Sequence, residues 1–394
     1  MGRRIPPRAA PVPILLLATA LAWLPTAGSA VAGVACGGFH QVPTPNPGTL
    51  ADTLESVSAA SPHAAWAVGN WANQSKEGGL ILRFNGTSWS AQHPPAATGP
   101  VELQAVDART PTDVWAVGQR FVGSPGGGGS EETITLHWNG SAWSRVPSPN
   151  VGTVGSSLHA VVAIAHDDVW AMGSSNIDLD RFRTLVEHWD GTSWSVVPSP
   201  NPGTSQNFLN AASGSSASDI WAVGQRAPDT SGFHGRTLAE HWNGSAWSVV
   251  RTPNVGAANH LFGVVAIGPN SAWAVGTGSG GGRTLAERWN GHTWRIVETP
   301  NVGTNPNELD AVDAASPTNV WAIGDVLTGG LGIQSQAVRW NGVAWHEMPV
   351  EQAGSSETAL GDVAAIPGTT RLWAAGESAT GDSSRQKSLV EQGC

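Results

Sequence analysis

This chain of 394 residues has no tyrosine, only two cysteines and three methionines. Its basic residues include just two lysines, Lys76 and Lys387. Without tyrosine, no phenolic nucleophile or tyrosyl radical can operate. Acidic residues outnumber basic ones and the formal charge is -10, so nucleic acid and anionic membrane surfaces are not expected partners. The apolar run from Ile14 to Leu24 is too short for a membrane span, which takes roughly 20 residues, so no span is expected. Helical periodicity is also lacking, which argues against bundles and coiled coils.

Arg3, Arg4 and Arg8 precede that run and small residues follow it to Ala30, the layout of a secretory signal. Residues 1–30 are therefore expected to be a signal peptide, and 31–394 the exported domain, secreted, extracellular or in the cell envelope. Removing residues 1–30 takes away three arginines and moves the formal charge from -10 to -13. Arg3-Arg4 also admits a twin-arginine signal, and Gly33-Val34-Ala35-Cys36 a lipoprotein cleavage site.

What the chain does have is a repeat. Trp66, Trp115, Trp170, Trp221, Trp273, Trp321 and Trp373 recur about 50 residues apart, each followed by Ala-x-Gly in the same frame. A period of that length, made of short strands and turn signals, is the pattern of a four-stranded propeller blade. Residues 158–203 illustrate it. Leu158 to Ala163 reads as an inner strand, and Val169 to Gly173 as a second, whose glycine is expected to release a polar loop. Thr184 to Trp189 is a third strand, closed by the hairpin pair Asp190-Gly191, and Ser193 to Pro198 an outer one. The tryptophans are expected between neighbouring sheets, with Phe84 standing in for one of them. Trp71 lies off the pattern in a presumed loop and is a candidate ligand contact.

The seventh repeat ends at Cys394 without an outer strand. Phe39 to Gly48 reads like Trp194 to Gly203, so the N-terminal strand is expected to complete the last blade. The expected fold is all-β: a single seven-bladed β-propeller of four-stranded blades, its ring closed by that strand. Aligned this way, Cys36 and Cys394 meet at the vacant hairpin, and a disulfide between them would latch the ring.

The units resemble bacterial secreted propeller repeats of the kelch-like and tectonin-like kind, over residues 36–394. Asp113-Val114-Trp115-Ala116-Val117 and the Trp138-Asn139-Gly140 to Trp143 hairpin carry the tectonin resemblance, which implies glycan or lipopolysaccharide binding. Kelch repeats carry a glycine pair where Gly69 and Gly118 stand single. Sialidases and copper radical oxidases, which use such scaffolds, require the tyrosine this chain lacks.

No Ser-His-Asp elbow and no His pair at metal-ligand spacing is legible, so no metal, cofactor or catalytic residue is assigned. Asp178-Leu179-Asp180 reads as a solvated loop rather than a calcium site. His137, His188 and His241 share one third-strand position with Arg83, Arg288 and Arg339, as on a half-exposed face. Glu187, Glu240, Glu287 and Glu391 each follow a base by four positions, Arg183, Arg236, Arg283 and Lys387. Four residues of strand span ~13 Å, so these pairs are expected to bridge adjacent blades.

Ligand binding is expected on the face where the segments Gln119 to Thr133 and Ser174 to Thr184 vary as loops. At the mouth of the axis, the second inner-strand residues are Glu55, Gln104, His159, Asn210, Phe262, Asp310 and Gly361. Their variety inside a uniform frame makes all but the glycine, together with Trp71, the candidate ligand contacts. The expected function is a monomeric binding module for a glycan or an extracellular protein. The alternatives are a polysaccharide lyase or hydrolase, using Glu55, His159 and Asp310 as acid-base groups, and a structural envelope protein.

Overall fold

The structure is a computed structural model that describes residues 37–124, 127–178, 180–227, 235–279, 282–329, 332–381 and 385–394. The expected signal peptide, residues 1–30, and Cys36, with its expected disulfide, lie outside the described residues.

All regular structure among the described residues is β-strand. Among the described residues, strands pair antiparallel in sets of four, in chain order except that the last repeat takes the N-terminal strand as its fourth, and single parallel bridges link two pairs of neighbouring sets. In the third repeat the set is Gly155–Ala165, Asp168–Asp178, Arg181–Trp189 and Trp194–Val196. The third and fourth strands turn at Asp190-Gly191, where Gly191 holds φ +91°. The Asp190 carboxylate accepts the Thr192 and Ser193 amides at 2.8 and 2.9 Å, so the side chain itself closes the turn.

The repeat tryptophans fill the space between successive sheets, and Trp66, Trp221, Trp273 and Trp321 have no exposed surface. Most of them meet an outer-strand aromatic of the next set edge-on. Trp115 lies 5.2 Å from Trp194, Trp221 4.9 Å from Trp294, and Trp273 4.9 Å from Trp345. The series continues past the last repeat, since Trp373 lies 5.3 Å from Trp89 of the first. Such pairs add about 0.5–1.5 kcal/mol each beyond the apolar area they bury.

The N-terminal strand His40–Val42 pairs with Gln386–Gly393, setting His40 opposite Gln392 and Val42 opposite Val390. Phe39 packs edge-on to Trp321 at 5.4 Å, where other sets place an outer-strand tryptophan. Asn46 accepts the Ser388 amide at 2.7 Å, as Asn201 accepts that of Thr184 and Asn254 that of Thr237. The displaced segment therefore makes the same contacts as a contiguous outer strand.

Two local expectations are corrected. The segments 119–133 and 174–184 are mostly hairpin extensions, because Asp113–Ser124 pairs onward with Gly127–Trp138, and Asp168–Asp178 with Arg181–Trp189. Cross-strand contacts such as the Arg120 to Glu132 ion pair sustain the ladder where polarity suggested loops. Trp71 is likewise in a strand, Ala64–Ala72, opposite Asp52 and Gly78.

Candidate functional site

The glycine of each Trp-Ala-x-Gly element does not release a loop; it lies under a bulge. Opposite Gly118, the inner ladder steps from Leu103 directly to Ala105 and leaves Gln104 unpaired. A Cβ on Gly118 would stand 2.0 Å from the Glu102 carbonyl oxygen, so only glycine lets the two backbones come this close. The same step expels Glu55, His159, Asn210, Phe262 and Gly361 from their ladders. Asp310 occupies the equivalent place just before the strand Ala311–Ser316. Bulges re-aim side chains. Here they turn one residue per repeat toward a common centre.

These seven residues line one cavity of about 490 Å³. None is fully buried, and Glu55 and Gly361 are exposed. Asn210 donates to the Gln225 side chain at 2.9 Å and to the Leu261 carbonyl at 2.8 Å. His159 Nδ1 lies 3.2 Å from the Leu209 carbonyl, which can only accept, so this nitrogen carries the proton. Its Nε2 then accepts from the Ser157 hydroxyl at 3.0 Å. Crowding by protein lowers the pKa of His159, which keeps the ring neutral.

Glu55 and Asp310, acidic residues of the cavity, and their acidic neighbours outside its lining respond in the opposite direction. Burial, reinforced by Asp325 and Glu308, pushes Asp310 well above the carboxylate range. Asp325 is pushed up to about 8 by burial and then by Glu308, and Glu377 to about 7 by burial and then by Glu55 and Glu357. Burial also raises Glu55, against its bond from Thr53, with Glu102 adding to the rise. The sixth, seventh, first and second repeats therefore present an arc of carboxyls that burial, and behind it their mutual repulsion, pushes toward the protonated form, and a cation placed among them would favour their ionisation. Phe262, Asn210 and His159 hold the other side, apolar or neutral.

Further along the inner strands, polar side chains pin one repeat to the next. Ser58 accepts the Ala108 amide at 3.0 Å, Asp107 that of Ala163 at 2.7 Å, and Asp313 that of Ala365 at 2.7 Å. Asp362 accepts the Val57 amide at 2.9 Å. These acids satisfy backbone donors at an otherwise open strand edge, and are structural.

The remaining candidates lie elsewhere. Trp71 lines a separate cleft of about 70 Å³ with Glu77, Gly78 and Glu102. Glu187, Glu240, Glu287 and Glu391 do not bridge to bases: both carboxyl oxygens of each are buried without a hydrogen-bond partner. Arg183, Arg236, Arg283 and Lys387 are exposed. Strand spacing puts acid and base on one face, but only the acid reaches the covered zone between sheets. Burial pushes all four carboxyls up to about 8, with Glu351 contributing at Glu391.

The third-strand histidines stack on the repeat tryptophans, His137 on Trp115 at 4.4 Å and His241 on Trp221 at 4.4 Å. Their Nε2 atoms meet Asp113, Asp168 and Asp219 at 2.8–2.9 Å. Where arginine replaces histidine it lies over the same ring, Arg339 5.6 Å above Trp321. The aspartate partner was legible, since histidine occurs with Asp113, Asp168 and Asp219 and arginine with Ala64, Ser271 and Asn319. Asp178 is engaged by Arg181 at 2.6 Å, which disfavours the calcium reading. No helix among the described residues is long and apolar enough to cross a membrane.

Sheets of four antiparallel strands, packed face to face through tryptophans with inner strands around one cavity, define a β-propeller protein. Comparison with solved structures agrees on the fold: a YCF48 bound to a D1 peptide is similar with a TM-score of 0.54 and 14% identity, over 90% of this chain and 96% of that one. YCF48 from Cyanidioschyzon merolae has a TM-score of 0.41 and 14% identity, over 72% of this chain and 95% of that one. No protein-family model and no curated protein matches the sequence. The kelch-like and tectonin-like resemblance thus remains an expectation from sequence alone.

Proposed function

We propose that this chain is an exported seven-bladed propeller, closed by its own N-terminal strand, that binds an extended segment of another protein across the mouth of the axial cavity. The observation that carries the reading is the ring of bulges. Every repeat uses a glycine with no room for a Cβ to bulge one residue toward the same cavity of about 490 Å³, and six of these residues carry side chains that differ from repeat to repeat, the seventh being Gly361. A cavity that size accepts one or two side chains of a peptide, not a folded domain. The acidic arc around Asp310, Asp325 and Glu377 suits a lysine, an arginine or a free amino terminus, and Phe262 an apolar neighbour.

The YCF48 structure described as bound to a D1 peptide lends support, as a propeller of similar fold that holds a peptide. The pairing of His40–Val42 with the last repeat and the contact of Trp373 with Trp89 support closure of the ring. A Cys36 to Cys394 disulfide belongs to the same proposal, because Gly393, next to Cys394, is the last residue of the strand that pairs with the N-terminal one.

The test is a fluorescence-anisotropy titration of the full chain with a panel of short peptides carrying basic, neutral or acidic side chains, run beside a glycan array. Saturable binding of basic peptides, weakened by salt, is the expected result. Capture of a glycan with no peptide bound would overturn the peptide reading in favour of carbohydrate.

A further inference from the structure

We propose that Asp113, His137 and His166 form a binding site for a divalent transition ion of the zinc type, bridging the second and third repeats. Among the described residues, these three alone place histidine, cysteine or carboxylate donors within 4.8 Å of one another. His137 Nε2 lies 2.8 Å from Asp113 Oδ1, and His166 Nδ1 lies 3.3 Å from Oδ2. Donors bound at ~2.0–2.1 Å around one ion stand at most about 4.2 Å apart, so closing on a metal needs movement on the order of 1 Å. His166 supplies it readily, since its side chain is 68% exposed on a turn.

Three details separate this cluster from the Asp-His pairs of the following repeats. The turn position of His166 is filled by Pro62, Pro111, Ala217, Pro269 and Pro317 in other repeats, so a donor reaches back to the preceding aspartate only here. Trp115 stacks on His137 with the rings 25° from parallel, which fixes the imidazole plane. Arg109 grips Asp113 Oδ2 at 2.7 and 2.9 Å. That leaves Oδ1 as the ligand and makes the guanidinium the outer partner that orients a coordinating carboxylate. Two imidazoles and one carboxylate with a solvent-facing side match zinc, nickel or copper better than calcium or magnesium.

Zinc alone serves as the probe, titrated calorimetrically into untagged, chelator-treated full chain. One equivalent is expected to bind and to raise the unfolding temperature. His166→Ala, which installs the residue the fourth repeat carries, is expected to weaken binding at least tenfold and to abolish the thermal shift while leaving tryptophan fluorescence unchanged. His188→Ala, in the Asp168 pair that lacks a third donor, is expected to bind as wild type. Zinc binding of equal strength in wild type and His166→Ala, or no binding by wild type, would overturn the proposal.

Discussion

The buried, unpartnered glutamates give the sharpest physical test. Glu240 has no exposed surface, neither oxygen has a hydrogen-bond partner, and its pKa stands at about 8 against an ordinary 4.5. The folded state therefore binds one more proton than the unfolded state between those values. The stability associated with this group is fully present below pH 4.5 and is lost as pH rises through 8, with a limiting slope of about 1.4 kcal/mol per pH unit. Glu187 and Glu287 behave alike, so their slopes add in the same window. Glutamine has nearly the same shape and does not titrate. Relaxation reduces the full desolvation cost, so Glu240→Gln should stabilise the fold by ~2 kcal/mol at pH 8.5 and by close to nothing at pH 4.5. Urea unfolding midpoints measured from pH 4.5 to 8.5 read this directly. If wild type and Glu240→Gln lose stability in parallel, the carboxyl is ionised or partnered in the folded state and the reasoning fails.

Gly118→Ala sets a Cβ 2.0 Å from the Glu102 carbonyl, and because backbone must move the cost should exceed ~3 kcal/mol in denaturant unfolding; near-neutral stability would mean the bulge relaxes freely. Mass spectrometry of the unreduced protein, expressed under oxidising conditions, should show Cys36 linked to Cys394, and Cys394→Ser should lower stability by up to about 5 kcal/mol; free thiols or an acylated Cys36 would refute the latch.

The repeat, its strand order and the displaced outer strand were legible because tryptophan burial and Asn-Gly hairpins leave strong local marks. Glu55, Gln104, His159, Asn210, Phe262 and Asp310 could be singled out by their variety at one repeat position. What made them special could not, since a bulge is set by backbone register, and its one trace, Gly118 and its counterparts, reads equally well as the end of a strand. Trp71 was misplaced because its polar neighbours resemble a loop while cross-strand pairing keeps it in a sheet. The spacing of Glu187 from Arg183 showed that both share a strand face, but not that only one of them would be covered by the adjacent sheet. Asp113 and His166 lie 53 positions apart, and only the packing of one repeat on the next joins them.

The central claim, that bulged side chains around the axis form a ligand site, is tested most directly by replacing Phe262 and Asp310 together with alanine and titrating the tightest peptide of the panel. Both residues line the cavity, Phe262 meeting the His260 ring edge-on at 6.0 Å, so the account predicts an unchanged fold by circular dichroism and affinity weaker by roughly 1–3 kcal/mol, the range of a central contact. Unchanged affinity in a folded double variant would contradict it and move the recognition surface away from the axis.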